Sequence, residues 1–251
     1  MSTFRLLIAS VCLLCFFISC KKEDTPVAGE KFLRQVVGTG DSIAYQTYSY
    51  DAQMRLATIS GSSNNVGSGT SETLIEYDST GNPIKFTHHH HFPNPLMDQE
   101  WVSLLVYEND KVVQKIVNHN TPTSYITSNT YSYDMKGRLI SDKYNHFIYD
   151  DNDDVIKILS PGRLAPTDTT TLSYDSNINP YSSLGLILYF ITDSNDLLSK
   201  HNKTRETYNW YDHINTKIYT YEYENRLPKK MTLSWDNGIS NNQFTYDFYY
   251  N

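Results

Sequence analysis

The chain has 251 residues, a formal net charge of −7, three cysteines, and 21 tyrosines and 10 phenylalanines. A mildly acidic balance argues against nucleic acid or an anionic membrane face as an electrostatic partner. The aromatic load, set against few Ala, Glu and Leu stretches of helical period, points to strands and to a core held by burial.

Arg5, the apolar run Leu6 to Ile18 and the small residue Ser19 have the layout of a secretory signal. The run is too short and too abruptly ended by Lys21-Lys22-Glu23-Asp24 for a spanning helix. Phe17-Ile18-Ser19-Cys20 resembles a bacterial lipobox with phenylalanine where leucine is commoner. That resemblance implies cleavage before Cys20 and lipidation of Cys20. Residues 1–19 are then the signal, 20–30 a charged, proline-containing lipidated tether, and 31–251 a single domain. Cys12 and Cys15 leave with the signal, so the mature domain has no free thiol for a disulfide or a thiolate metal site.

The rest of the chain is repetitive. TYSYDAQMRL (47 to 56) and TYSYDMKGRL (130 to 139) agree at seven of ten positions, and related units begin at Leu74, Leu104, Phe147, Leu172, Tyr219 and Phe244. Each unit reads aromatic-x-Tyr-Asp/Glu, then a polar turn, then an alternating apolar segment. Tyr131 and Tyr133, like Ile75 and Tyr77, are two apart and share one strand face. Asp134 with Gly137, or Asp78 with Gly81, suits a turn capped by Asp with Gly at positive φ. Met54 and Asp153 stand where Gly or Asn is preferred, and Glu222 where Asp is usual. The fold expected is all-β: an antiparallel meander of hairpins forming one large curved sheet or irregular barrel.

Three stretches break the rhythm. Gly61 to Ser71 reads as a flexible loop and His88 to Asp98 as a polar, Pro-broken connection. Within 181–199, Leu184 to Ile191 reads as a buried strand or a short helix plugging the sheet.

Taken together, the lipobox, the hairpins TYSYDMKGRL and IEYDSTGNPIKF, and YDSNINPY followed by LLSKHNKT resemble a family of Bacteroidetes lipoproteins with no established activity. The hairpins also distantly resemble the YD repeats of Rhs-type proteins. This resemblance implies fold and location and brings no catalytic residues with it. Lys21-Lys22-Glu23-Asp24 looks like the export signal of that phylum, which implies an outer-membrane lipoprotein anchored by its lipid and exposed at the cell surface, with a periplasm-facing domain as the alternative. Asp41-Ser42-Ile43, Asp78-Ser79-Thr80 and Asp168-Thr169-Thr170 look like its O-glycosylation triplet.

Candidate chemistry is sparse. Of the four histidines His88 to His91, an extended strand turns His88 and His90 one way and His89 and His91 the other. His88, His90 and His119 are the candidate metal ligands, although a zinc site wants three or four ligands with further support. Asp150, Asp151, Asp153 and Asp154 lack the Gly and Glu of a calcium loop and fall where the other repeats turn. No nucleophile elbow, zinc-protease motif, phosphate loop or cofactor motif occurs. Glu72, Glu76, Glu100 and Glu108 are the few strand acids available for a two-carboxylate glycoside hydrolase. Tyr208, Trp210, Tyr211, Trp101 and Trp235 are the candidate ligand-binding aromatics, suited to stacking on sugars.

The reading is a non-catalytic, lipid-anchored envelope module that binds a glycan or an envelope protein. A carbohydrate hydrolase and a purely structural envelope protein are the alternatives. Two acids facing each other across an aromatic groove favour the hydrolase; aromatics without them favour binding.

Overall fold

The computed structural model describes residues 31–39, 44–63, 69–120, 124–160, 168–210, 213–236 and 241–251. Cys20, the signal, the tether and Tyr211 lie outside them. The described residues form β1 (Leu33–Thr39), β2 (Ala44–Tyr50), β3 (Leu56–Ser63), β4 (Thr70–Tyr77), β5 (Pro83–His91), β6 (Gln99–Glu108), β7 (Lys111–Asn120), β8 (Tyr125–Thr130) and β9 (Ser132–Tyr133). Then come β10 (Leu139–Ser141), β11 (His146–Tyr149), β12 (Val155–Ser160), β13 (Asp168–Ile178), α1 (Gly185–Thr192), β14 (His201–Trp210), β15 (His213–Glu224), β16 (Leu227–Asp236) and β17 (Asn241–Tyr250).

β8 and β9 are two halves of one strand interrupted at Tyr131, whose N–H still donates to Val113. Counting them as one, each strand pairs antiparallel with the next in sequence. β17 then returns to β1, with Phe248 opposite Val36 and Thr245 opposite Thr39. The ladder therefore runs full circle, as a barrel of the up-and-down kind. The expected meander is present, and its two ends meet.

The repeat explains the construction. At one end of the barrel the chain turns tightly after Asp51, Asp78, Asp134 and Asp150. Each aspartate accepts backbone N–H bonds from its own turn, such as Gln53 and Arg55 to Asp51 Oδ1, both at 2.9 Å. Positive φ falls at Met54 (60°), Gly81 (92°), Gly137 (83°) and Asp153 (65°). Met54 and Asp153 thus adopt the glycine conformation without being glycine. At Glu222 the strand runs on instead, and the turn comes at Asn225-Arg226, both at positive φ as a two-residue hairpin requires.

Above the turns, eight tyrosines lie on the inner face. Tyr50, Tyr77, Tyr107, Tyr133, Tyr149, Tyr174, Tyr221 and Tyr250 each donate a hydroxyl bond of 2.7–2.9 Å to a carbonyl at or near the start of the preceding strand. Arg55 and Arg138, the residues closing two turns, lie over the rings of Tyr77 and Tyr149. Tyr and Asp therefore recur because one ties each strand pair together and the other shapes the turn.

Sixteen strands enclose more space than wall side chains alone fill, and a piece of chain occupies it here. Between β13 and β14 the expected turn is replaced by residues 179–200, which fold into the lumen and carry α1. Leu188, Tyr189 and Phe190 are buried. The rings of Tyr189 and Phe190 both meet Tyr131 of the wall edge-to-face, and Tyr189 also meets Phe147. Lys115 of β7, only 5% exposed at its side chain, donates to the Phe190 carbonyl at 3.0 Å and pairs with Asp193 at 2.6 Å. The short helix expected within 181–199 is thus the plug.

Two boundaries differ from the sequence reading. Within Gly61 to Ser71, residues 61–63 end β3 and 70–71 begin β4, with Gly61 opposite Ser71, while residues 64–68 lie outside the described residues. His88 to His91 also belong to a strand, because β5 pairs them with β4 and β6 and buries His88 against its neighbours. The connection shrinks to 92–98, with a 3-10 turn at Pro95–Met97 capped by Asn94.

A candidate lumenal binding site

The plug fills the turn end of the lumen and leaves a cavity of about 390 Å³ between itself and the wall of β2 and β14–β17. Pro180, Tyr181, Leu188, Thr192, Ser194 and Leu197 form the plug side. Strand alternation supplies the wall: Gln46 and Tyr48 from β2, Lys217, Tyr219 and Tyr221 from β15, Met231 and Leu233 from β16, Tyr246 and Phe248 from β17. A bulge in the β13–β14 pairing brings Asn202 and Lys203 inward together, and both are buried. A second hollow of about 480 Å³ shares Gln46 and Tyr246 and continues past Gly38, Ala44, Gly61, Ser71 and His90. At Gly38 an added Cβ would stand 3.0 Å from the Tyr246 ring, so any larger residue there would make that ring shift.

One charge cluster sits on this wall. Glu206 Oε2 accepts from Lys203 Nζ at 2.6 Å and from the Tyr219 hydroxyl at 3.0 Å, and Oε1 accepts from Lys217 Nζ at 3.1 Å. Burial alone would raise the Glu206 pKa. The Lys203 and Lys217 charges and hydrogen bonds outweigh it and hold the carboxyl below its ordinary value. Lys203 also lies 4.5 Å from the Tyr219 ring centre, and Lys217 5.4 Å from that of Tyr208.

The sequence-singled aromatics turn to the same lumen. Trp101 pairs opposite His88 and His119 on the inner face. Its ring is stacked between theirs, at 5.0 and 6.5 Å, and His119 stacks on Tyr125 at 4.3 Å. The result is a four-ring ladder across β5–β8. Tyr208 and Trp235 are half-buried on the inner face, and no partner reaches the Trp235 indole N–H. The Trp210 side chain and Tyr211 lie outside the described residues. Of the five candidate aromatics, the three whose side chains are described, Trp101, Tyr208 and Trp235, line the interior.

The histidines alternate as the strand requires. His89 and His91 face outward, pairing with Glu100 at 3.3 Å and Asp98 at 3.0 Å. His88 and His90 face inward, where His88 bonds Thr73 through Nδ1 at 3.0 Å and His90 stacks on Phe92. Trp101 stands between His88 and His119, so the three candidate ligands do not converge. No set of three His, Cys, Asp or Glu side chains able to hold one metal occurs among the described residues.

Glu72, Glu76 and Glu100 sit on outward strand positions, Glu76 paired with Lys85 at 2.7 Å, and Glu108 is exposed beside a turn. None faces another across the lumen. Asp153 bonds Arg138 and Lys200, and Asp154 bonds His201, so the acidic run serves the turn and the plug's return. Sequence reasoning did not single out Lys203, Glu206, Lys217 or Tyr219. Their signal is alternation: in KTRETYNW and NTKIYTY the inward positions carry charge and Tyr while the outward ones carry Thr, Arg and Ile.

No protein-family model and no curated protein matches the chain. The fold does match solved structures. A porin-like protein from Bacteroides uniformis superposes with a TM-score of 0.56 at 11% identity, over 86% of this chain and 96% of that one. A porin-like protein from Bacteroides vulgatus matches at 10% identity with a TM-score of 0.43, over 88% of this chain and 99% of that one. The first likeness shows a shared fold.

Proposed function

We propose that this chain is a lipid-anchored outer-membrane protein, exposed at the cell surface, that binds a glycan inside its barrel without catalysing a reaction. One observation carries the reading: a plugged lumen with a small-molecule-sized cavity, lined by tyrosine rings and by amide, hydroxyl and charged groups. Sugars present apolar C–H faces to rings and hydroxyls to polar side chains, and this lining offers both. The candidate strand acids lie on the outer wall or beside a turn, which favours binding over two-carboxylate hydrolysis. The plug is held by buried packing and by Lys115, which favours a pocket over an open channel.

The name porin-like belongs to the neighbours. A barrel that spans lipid needs an outward apolar band. Here exposed outward positions include Thr47, Ser49, Glu72, Glu76, Arg205, Thr220 and Gln243. Val102, Leu104, Val106, Ile116 and Ile126 make an apolar outer patch on β6–β8, and Leu74, Ile148, Ile156, Ile214 and Ile218 are exposed on other strands, interspersed with those polar residues. This supports a water-facing barrel held to the membrane by Cys20.

The test is a glycan-array screen of the full-length protein in detergent, followed by titration of the best binder. Leu233→Trp fills the cavity, and Thr232→Trp changes the outer face one residue away. The expected result is lost binding in the first variant and full binding in the second, both with native circular dichroism. Undiminished affinity in a folded Leu233→Trp variant would overturn the lumenal reading.

A further inference from the structure

Resting on that reading, we propose that the glycan taken by the lumen carries N-acetyl groups, and that one acetamido carbonyl is held between Gln46 and Tyr246. These two residues line both hollows, so they stand where the cavity beside the plug opens into the second one. Gln46 lies on β2 and Tyr246 on β17, with β1 between them. Tyr246 pairs opposite Gly38, and the edge of its ring stands only 3.0 Å from where a Cβ would sit. The missing side chain lets the ring lean over β1, on the side where Gln46 lies.

Hydrogen-bonding capacity sets this pair apart from the rest of the wall. Tyr48, Tyr219 and Tyr221 engage their hydroxyls on Gln46 Oε1, Glu206 and the Lys203 carbonyl. The Tyr246 hydroxyl meets no partner among the described residues, and burial raises its pKa, so it stays protonated and able to donate. Tyr48 donates to Gln46 Oε1 at 2.7 Å, which orients the amide and leaves both its N–H groups uncommitted among the described residues. The junction is therefore rich in donors, with its one amide oxygen already engaged. A carbonyl oxygen has two lone pairs and no proton of its own, so it takes one bond from each side. A sugar hydroxyl must also place its own proton, and matches the pair less well. The acetamido methyl has apolar company, because Val36 and Phe248 are buried, pair opposite each other and line the same two hollows.

The experiment is calorimetric titration of the full-length protein with tri-N-acetylchitotriose and with cellotriose. The two sugars share ring and linkage and differ in carrying acetamido or hydroxyl at the second ring carbon. Wild type should bind the acetylated sugar about tenfold more tightly or better, the ratio that two ordinary neutral hydrogen bonds give. Tyr246→Phe keeps the ring over Gly38 and removes the hydroxyl alone. It should weaken the acetylated sugar about fivefold and leave cellotriose unchanged. Gln46→Glu keeps the acceptor for Tyr48, removes the N–H donors and should erase the rest of the preference; Tyr246→Phe carries the test if that variant fails to fold. Equal affinity for the two sugars in wild type, binding of neither, or an undiminished preference in folded Tyr246→Phe would overturn the proposal. The glycan array separates that failure from the wider one: a binder without acetamido groups that is lost in Leu233→Trp keeps the lumenal site. Binding of the acetylated sugar that survives in folded Leu233→Trp would overturn both readings together.

Discussion

The Tyr107 hydroxyl donates to the Pro83 carbonyl at 2.7 Å, linking the end of β6 to the first residue of β5. Pro83 pairs opposite Tyr77, beside the bulge that the turn after Asp78 creates, so its carbonyl lies where the ladder is irregular. Seven more tyrosines make the equivalent bond around the same rim. A half-buried hydroxyl bonded to a carbonyl contributes about 1 kcal/mol. Tyr107→Phe should therefore lower Tm by about 2–4 °C, the shift expected per kcal/mol in a domain of this size. Tyr249→Phe, on the outer face, should shift Tm by less than about 1 °C, within the small range typical of surface changes. Calorimetry on both variants decides it: equal shifts would remove the latch from the account.

Met54 pays a conformational penalty that its neighbours in the repeat avoid. Its φ of 60° lies in the left-handed region, where Gly81 and Gly137 sit in sister turns. Left-handed backbone costs an L-residue about 1–2 kcal/mol, partly offset by the greater unfolded-state freedom of glycine. Met54 is exposed and lends little to the core. Met54→Gly should raise stability by about 0.5–1 kcal/mol in urea unfolding. Asp153→Gly relieves the same strain but removes ion pairs to Arg138 and Lys200, and should give no net gain. A loss of stability in Met54→Gly contradicts this.

Asp193 holds the plug to the wall through Lys115. Removing one partner of a fully buried pair costs about 3–5 kcal/mol. Asp193 is half exposed and solvent screens it, so Asp193→Asn should cost less, about 2 kcal/mol. Asparagine also accepts the left-handed backbone of that position. Amide exchange should accelerate across α1 before it does in β14–β17. Uniform acceleration through the whole barrel would mean that plug and wall open as one.

His88 makes the fold sensitive to acid. Burial first, with Lys115 and His89 adding repulsion, pushes its pKa down to about 4. The unfolded chain titrates near the ordinary histidine value of about 6.5. Between those values the unfolded state binds a proton that the folded state does not, so stability falls as pH drops from about 6.5 to about 4. At about 1.4 kcal/mol per unit the loss reaches roughly 3 kcal/mol. His88→Gln should flatten this part of the stability-against-pH curve. Parallel curves for variant and wild type would assign the acid sensitivity elsewhere.

Much of this architecture is legible in the chain because the repeat writes local chemistry. Asp134 and Gly137 state a turn, Tyr131 and Tyr133 a strand face, and the apolar Leu184 to Ile191 a plug. Closure was not legible, because nothing local in β1 or β17 states that Val36 lies opposite Phe248. Nor was the tyrosine latch, since each acceptor is a backbone carbonyl in a different unit. The aromatics were found as residue types and mistaken in setting: Trp101 reads as a surface platform until β5 and β7 place histidines on both of its faces. The Lys203–Glu206–Lys217 cluster escaped notice because its members lie on two strands and only the register between Glu206 and Lys217 joins them. His88 to His91 looked like a loop because polar runs usually are. Here two of the four rings have aromatic or hydroxyl neighbours to meet inside.

The seam between β1 and β17 joins residues separated by most of the polypeptide, as in the Thr39 hydroxyl bond to the Thr245 carbonyl at a separation of 206 residues. Contacts of such high order slow folding, because a long loop must close before the pairing rewards it. The ring also stays open, with two bare sheet edges, until β17 reaches β1. A chain cut short before β17 would keep both edges unpaired, however complete its other hairpins, and such edges invite aggregation.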